Sequence, residues 1–156
     1  MALNYKDDLF MLQVRLFRLA QIRWDKNPKE CEAIFNKYDI NSYIETCYEE
    51  YHVQGDDANF DDIENYLTNK GWTLCRQKVN VSKYDYTMQL LAAMASINLA
   101  RQQKISRTKA FFKFMNSKTG EMLFDESTDM WMNGPDYIAD EYRREMLGKR
   151  KHRSTT

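Results

Sequence analysis

The 156-residue chain has little glycine and little proline, five and two residues, although 43% of it is hydrophobic and 13% is aromatic. Folds with many strands joined by tight turns need more turn-forming residues, so they are excluded. The hydrophobic and aromatic content excludes a disordered polymer. The composition therefore favours a packed helical protein, built as one domain of usual size or as two very small ones that share a core.

Cysteine and histidine are also scarce. Cys31, Cys47 and Cys75 are far apart and form no metal-ligand spacing with the two histidines. Polar and charged residues interrupt the start of the chain, so it has no signal-peptide pattern. The uncharged run over residues 86–100 is too short and too polar to span a membrane. We therefore expect no metal, no cofactor and no membrane association, and a reducing cytoplasm as the location.

Motifs that carry chemistry are absent as well. The chain contains neither GxGxxG nor GKS or GKT, so a dedicated phosphate-binding loop is unsupported. His52 lies in no recognisable nucleophile motif, which favours a capping or packing role over catalysis. The carboxylate pairs Asp56-Asp57 and Asp61-Asp62 lack the ordered spacing of a calcium loop and are interpreted as solvated helix starts. We expect a protein that is not an enzyme.

Apolar residues do recur at helical spacing along most of the chain. Residues 8–24 carry a broad apolar stripe, which predicts an amphipathic helix that ends near Trp24. Asn27, Pro28 and Glu30 then supply an N-cap, a first-turn proline and a capping-box acid for a second helix. Further helices are predicted over about 41–51, from Asn59 to Gly71, over 86–103 and from Ser106, followed by a turn over 116–120.

The second half repeats the pattern of the first. Aligning Leu19 with Leu99 gives an offset of about 80 residues, which sets the cap residue Asn27 near Ser106. We therefore predict an all-α fold of two tandem, related bundles of about four helices each, packed into one compact body. The predicted ranges are 1–71 for the first helical module, 72–83 for a connector, 84–148 for the second helical module and 149–156 for a basic, flexible tail.

The net charge is zero, but the charges are segregated. Residues 38–69 contain nine acids and no Lys or Arg, whereas residues 70–115 contain nine basic residues and one acid. These blocks either neutralise one another and cover solvated faces, or present acidic and basic faces to different partners. A nucleic-acid backbone would contact the tail and a basic cluster in the second half, consisting of Arg101, Lys104, Arg107, Lys109 and Lys113.

Residues 122–138, MLFDESTDMWMNGPDYI, mix acids with Phe, Trp and Met. The overlapping stretch MWMNGPDYIADEY, residues 130–142, takes the place that YHVQGDDANFDDI has in the first half, so we interpret this region as a corner between two helices. Ser127 is expected to cap a short helix, Gly134 to close it in a left-handed conformation and Pro135 to begin the last helix. The side chains expected to point into the core are Phe124, Met130 and Trp131.

At residues 51–55 (YHVQG) and 117–142 (SKTGEMLFDESTDMWMNGPDYIADEY) the chain resembles a group of small, uncharacterised bacterial helical proteins. In that group an aromatic-Leu-His-Thr-Gln-Gly corner follows three helices, and a related module carries a Ser-x-Thr, Leu-Phe-Asp, Trp, Gly-Pro-Asp-Tyr pattern. Tyr51 and Val53 depart from the first pattern, where Leu and Thr are expected. Members are often encoded beside ADP-ribosyltransferase-like proteins, so the resemblance implies two modules and an antitoxin or accessory role.

Three functions remain open. The favoured one is a non-enzymatic protein-interaction module, the partner of a toxin, because a surface rich in Tyr, Trp and Met suits protein binding. The second is a nucleic-acid-binding regulator that uses the basic cluster and the tail. The third, an enzyme that uses His52 and neighbouring acids, is least favoured. The partner and the oligomeric state stay open, and the candidate partner-binding residues are Trp131, Met132, Tyr137 and Tyr142.

Overall fold

A computed structural model describes residues 4–72 and 81–154, with side chains through Lys149. These residues form nine α-helices and two short 3-10 helices, and no strand occurs among them. The predicted all-α fold is therefore confirmed. The chain divides into two compact units, residues 1–81 and 82–156. Most of the predicted connector, residues 73–80, lies outside the described residues.

The first unit is held together by aromatic residues on its long helices. The ring of Phe17 lies 5.1 Å from that of Phe35 in an edge-on contact, and the ring of Trp24 lies 5.4 Å from that of Phe60. All four side chains are buried, and each contributes about 1.5 to 3 kcal/mol of hydrophobic stabilisation. The helices of this unit are α1 (Tyr5–Trp24), α2 (Pro28–Lys37), α3 (Ile40–Thr46), α4 (Tyr48–Tyr51) and α5 (Asp56–Asn69).

The helix ends of the first unit follow the predictions in part. The Asn27 side chain accepts a hydrogen bond from the backbone N–H of Glu30, so the predicted cap of α2 is confirmed. The single helix predicted over 41–51 is wrong, because the chain leaves helical geometry at Cys47 and forms α3 and α4. The last helix begins at Asp56, three residues earlier than predicted, since acids suit the positive end of a helix.

The second unit is built around a helix of small buried residues. Ala92, Ala93, Ala95 and Ser96 are fully buried on its first helix, over Asp85–Gln103, which lets neighbouring helices approach closely. The Ser106 side chain accepts a hydrogen bond from the backbone N–H of Lys109, as predicted for the cap of the next helix. The helices of this unit are α6 (Asp85–Gln103), α7 (Arg107–Met115), α8 (Lys118–Leu123) and α9 (Pro135–Ser154).

Several predictions for the corner between α7 and α9 are wrong. Ser117 caps α8 instead of forming a turn, because its side chain accepts from the backbone N–H of Gly120. Two 3-10 helices, Glu126–Thr128 and Met130–Met132, replace the predicted short helix. The left-handed residue between them is Asp129, with a φ of 58°, whereas Gly134 has no positive φ.

Other predictions for this region are confirmed or need correction. Pro135 begins α9, and Met130 is buried, both as predicted. Phe124 and Trp131 are only partly buried, because the 3-10 helices leave them at the edge of the core. The backbone of α9 extends through Ser154 and so includes most of the residues predicted as the tail, since no proline or further glycine interrupts the helix.

The two units use the same local geometry at corresponding positions. α1 and α6 both end at a left-handed residue, Asp25 with a φ of 49° and Lys104 with a φ of 58°. In each case the backbone N–H of the following residue donates a hydrogen bond to a carbonyl oxygen in the last turn of the helix, which is a common way to close a helix. The interval is 79 residues (104 minus 25), and the same interval separates the starts of α5 and α9 (135 minus 56). That the two modules are related and pack into one body stays a prediction.

Gly120 lies where α8 meets the last turn of α7. A Cβ atom at this position would be 2.2 Å from the carbonyl oxygen of Phe114, which is a backbone atom and cannot rotate away. We expect Gly120→Ala to lower the free energy of unfolding by about 3 kcal/mol in urea denaturation. The matched control is Gly148→Ala on α9, where a Cβ would meet nothing within 4 Å, so stability should rise slightly. Equal losses from both substitutions would contradict the packing argument.

The Glu145 carboxylate of α9 caps the start of α8. It accepts hydrogen bonds from the backbone N–H groups of Lys118 and Thr119, at 3.1 and 2.8 Å, and from the Thr119 hydroxyl. The Lys149 ammonium lies 3.1 Å away. Burial disfavours the charged form, but these donors outweigh it and hold the pKa of Glu145 below its ordinary value.

Because the folded pKa of Glu145 lies below the unfolded one, its contribution to stability is present at neutral pH and is lost as the pH falls through the folded pKa. Glu145→Gln should lower the free energy of unfolding by about 1 to 2 kcal/mol at neutral pH. The loss should shrink as the pH falls below the ordinary value of 4.5. Glu141→Gln on the same helix is the control, since its exposed pairing with Arg144 contributes about 0.5 kcal/mol or less. A pH-independent loss for Glu145→Gln would refute the linkage.

Candidate interaction surfaces of the second unit

A groove runs along the second unit between α6 and α9. Its first hollow has a volume of about 460 Å³. A second hollow of about 320 Å³ shares Gln102 with the first and reaches Met146 and Leu147 on α9. The side chains that give the first hollow its chemistry are Met94, Ile97, Asn98, Arg101, Pro135 and Asp136.

Polar side chains cross from α9 to α6 along this groove. The Arg143 guanidinium donates to the side-chain oxygens of both Gln102 and Asn98. The Asn98 amide in turn donates to the Asp136 carboxylate at 2.9 Å, and Arg143 also pairs with Asp140 at 2.7 Å. This network joins α6 to α9 through side chains that line the groove.

Large apolar side chains lie exposed in both hollows. Met94 is 49% exposed in the first hollow and Leu147 is 54% exposed in the second. A single exposed apolar residue is ordinary on a protein surface. Here both lie in concave surface beside oriented polar groups, the combination that binding sites use.

The first unit has ion pairs in the corresponding place. At the interval of 79 residues, Arg15 of α1 corresponds to Met94 and Asp56 of α5 corresponds to Pro135. The Arg15 guanidinium donates to the Asp56 carboxylate at 2.9 Å and so bridges α1 and α5. In the second unit a thioether and a proline ring replace this bridge, which leaves the equivalent surface apolar.

The first unit has a second cluster of ion pairs, which the second unit also lacks at the corresponding positions. Arg23 of α1 reaches Asp57 at 2.5 Å, Asp61 at 3.1 Å and Glu64 at 3.6 Å on α5. At the same interval of 79 residues, Arg23 corresponds to the neutral Gln102 of the second unit, and Glu64 corresponds to Arg143. The first unit therefore joins its first and last helices by ion pairs, and the second joins them by hydrogen bonds between a charged group and a neutral amide.

The four partner-binding residues predicted from the sequence lie in different environments. Met132 is 69% exposed and Tyr137 is 48% exposed, so both can meet a partner. Trp131 is half-buried, because its ring stacks on Tyr84 at 4.0 Å and its indole N–H donates to the Glu126 carbonyl. Tyr142 is buried beside Phe114, and the small part of its surface that stays accessible lines the second hollow.

Neither Met132 nor Tyr137 lines the two hollows. Tyr137 follows the groove residue Asp136 by one position, which turns its side chain about 100° around the axis of α9. Both residues are therefore exposed outside the lining of the groove.

The predicted basic cluster is mostly exposed. Arg101, Lys104, Lys109 and Lys113 are exposed, and none of the four forms an ion pair with another described residue. Arg107 differs, because it is half-buried and already engaged by another group. The structure therefore presents four of the five predicted cations to solvent.

His52 and the acidic pairs lie in the first unit. The His52 ring stacks on Tyr48, and its Nδ1 lies 2.9 Å from the Tyr48 carbonyl oxygen, which is a packing arrangement at a helix end. Asp62 accepts hydrogen bonds from the hydroxyls of Tyr43, at 2.8 Å, and Tyr51, at 2.5 Å. Burial, and then the Asp62 carboxylate, raise the pKa of both tyrosines, so they stay neutral donors.

Residues 4–72 and 81–154 contain no group of three His, Cys, Asp or Glu side chains placed to hold a metal ion. Over the same residues, every helix is too short or too polar to cross a membrane.

Comparison with known proteins finds one similarity. A family model described as a protein of unknown function (DUF3791) matches residues 13–70. These residues form most of the first unit, from the middle of α1 to the end of α5. The expected resemblance to an uncharacterised helical family is therefore supported over this part of the chain. No curated protein and no solved structure matches the chain.

The groove was missed when the sequence was considered alone. A signal was present, because Leu90, Met94, Ile97 and Arg101 follow one another at spacings of four, three and four residues. Comparing the halves at a constant interval would have shown that Met94 and Ile97 replace Arg15 and Arg18.

Proposed function

We propose that the protein is a non-enzymatic protein-interaction module that binds a partner through its second unit. The observation that carries this proposal is the open groove between α6 and α9. Met94 and Pro135 line it where the first unit has the ion pair of Arg15 and Asp56.

The chemistry of the groove supports protein binding. Met94, Ile97 and Leu147 supply apolar surface, and methionine adapts its shape to a partner more easily than branched side chains do. Asn98 and Asp136 are held by hydrogen bonds beside this surface, so they can orient a partner without reorganisation.

The finer form of the proposal is an antitoxin or accessory partner of a bacterial toxin. Its support is the resemblance over residues 117–142, a range that includes the start of α9 and therefore one wall of the groove. The family match adds nothing to this role, since the matched family has no assigned function and the match ends at residue 70.

The proposal predicts that tagged protein isolated from the cells that naturally make it retains a stoichiometric protein partner. Met94→Glu should abolish this retention, because a carboxylate would be desolvated in the apolar hollow. Met122→Glu is the matched control, since Met122 is also exposed but lies on α8 outside the groove, and it should keep the partner. Circular dichroism of both variants checks that the fold is unchanged. Absence of any protein partner from the wild-type sample would contradict the proposal.

The alternative function is nucleic-acid binding, which the four exposed cations of the basic cluster favour. Fluorescence anisotropy with labelled duplex DNA and single-stranded RNA should then show binding that weakens steeply as salt rises. Replacing Lys104, Lys109 and Lys113 with glutamine should reduce the salt slope by about one for each phosphate that the variant no longer neutralises. Lys29→Gln in the first unit is the control and should leave the slope unchanged. Absence of binding at low salt would remove this alternative.

A further inference from the structure

We propose that the groove between α6 and α9 binds an acidic amphipathic helix of the protein partner. This inference rests on the proposed function and adds the chemistry of the partner to it. Shape, apolar spacing and uncompensated charge each support it.

The shape of the groove suits a helix. It lies between two helices and runs along α9 from Pro135 to Leu147, which at 1.5 Å per residue is about 18 Å. A partner helix of about three turns spans this length. Insertion of an apolar helix face into a groove between helices is a recurring mode of recognition.

The apolar surface is concentrated at the two ends of the groove. Met94 and Ile97 lie in the first hollow, and Met146 and Leu147 lie in the second, with the Arg143 network between them. The partner helix therefore needs apolar side chains about three turns apart on one face. Between them it needs polar side chains, because the Arg143 network offers no apolar surface.

The charges around the groove are unevenly balanced. Three acids of α9 have ion-pair partners, since Asp140 pairs with Arg143, Glu141 with Arg144 and Glu145 with Lys149. Asp136 accepts a hydrogen bond from the neutral Asn98 amide, which orients its carboxylate and leaves its charge unbalanced.

The basic residues on the other wall are not balanced in this way. Arg101 lines the first hollow, and Lys104 follows it at the end of α6. Both are exposed and form no ion pair with another described residue. These two cations outweigh the single unbalanced charge of Asp136, so the net charge left for a partner is positive. Acidic side chains on the flank of the partner helix therefore complement it, and basic ones are repelled.

The test is photo-crosslinking in the cells that naturally make the protein, with benzoylphenylalanine at position 94 and, as a control, at position 122. Mass spectrometry identifies the protein segment joined to each position. We expect position 94 to crosslink a segment that is acidic and has apolar residues about three turns apart, and position 122 not to crosslink it.

A synthetic peptide of that segment, labelled for fluorescence anisotropy, then serves as the probe. It should gain helical circular dichroism on binding the full chain. Arg101→Glu should weaken its binding at least about tenfold through charge repulsion. A double variant, Met94→Arg with Pro135→Asp, introduces the ion pair of the first unit. It should weaken binding by a similar factor because the two new side chains fill the first hollow. Lys29→Gln should have no effect.

Other results overturn the inference. A crosslinked segment that is basic, that stays extended when bound, or that comes from a second copy of this chain excludes an acidic helical partner, as does crosslinking to nucleic acid alone. If a partner co-purifies but crosslinks from the control position and not from position 94, the groove assignment fails while the proposed function stands. If no partner co-purifies at all, the proposed function fails as well.

Discussion

The second unit depends on the close packing of α6 against its neighbours. Ala92, Ala93, Ala95 and Ser96 are fully buried on this helix, and the Ser96 hydroxyl donates to the Ala92 carbonyl, so its polar group is satisfied in the core. Apolar residues occur around most of the circumference of α6 and therefore exceed what one neighbouring helix can cover. The face that carries Met94 stays at the surface, and it makes the groove with α9 apolar.

The two units place corresponding helices in the same order but have different residues on the surface that joins their first and last helices. α1 and α5 are joined by the ion pairs of Arg15 and Arg23, and all of their carboxylate partners except the mostly buried Glu64 are in contact with solvent. Exposed ion pairs contribute about 0 to 1 kcal/mol each, so their replacement costs little stability. The fold of each unit instead depends on buried residues such as Phe17 and Leu99. A binding surface can therefore change between the units without a change in their helices.

The carboxylates of the first unit illustrate how context decides the role of a residue. Asp56, Asp57 and Asp61 form ion pairs with arginines of α1, and Asp62 accepts hydrogen bonds from two tyrosines. All four are therefore engaged by protein groups that lie far away in sequence. Acids that the sequence alone predicts to be solvated helix starts are thus, in three dimensions, the means by which α5 is held against α1, α3 and α4.

The sequence by itself determined the helical class and the residues that begin several of the helices. Asn27, Ser106 and Pro135 act through backbone groups within three or four residues of themselves, so local physical chemistry is sufficient to predict their effect. The exposure of Met94, the burial of Tyr142 and the bridge formed by Arg143 were decided only by the tertiary structure. Each depends on which helix packs against which face, and that choice is made by contacts between residues about 40 positions apart, which no local pattern records.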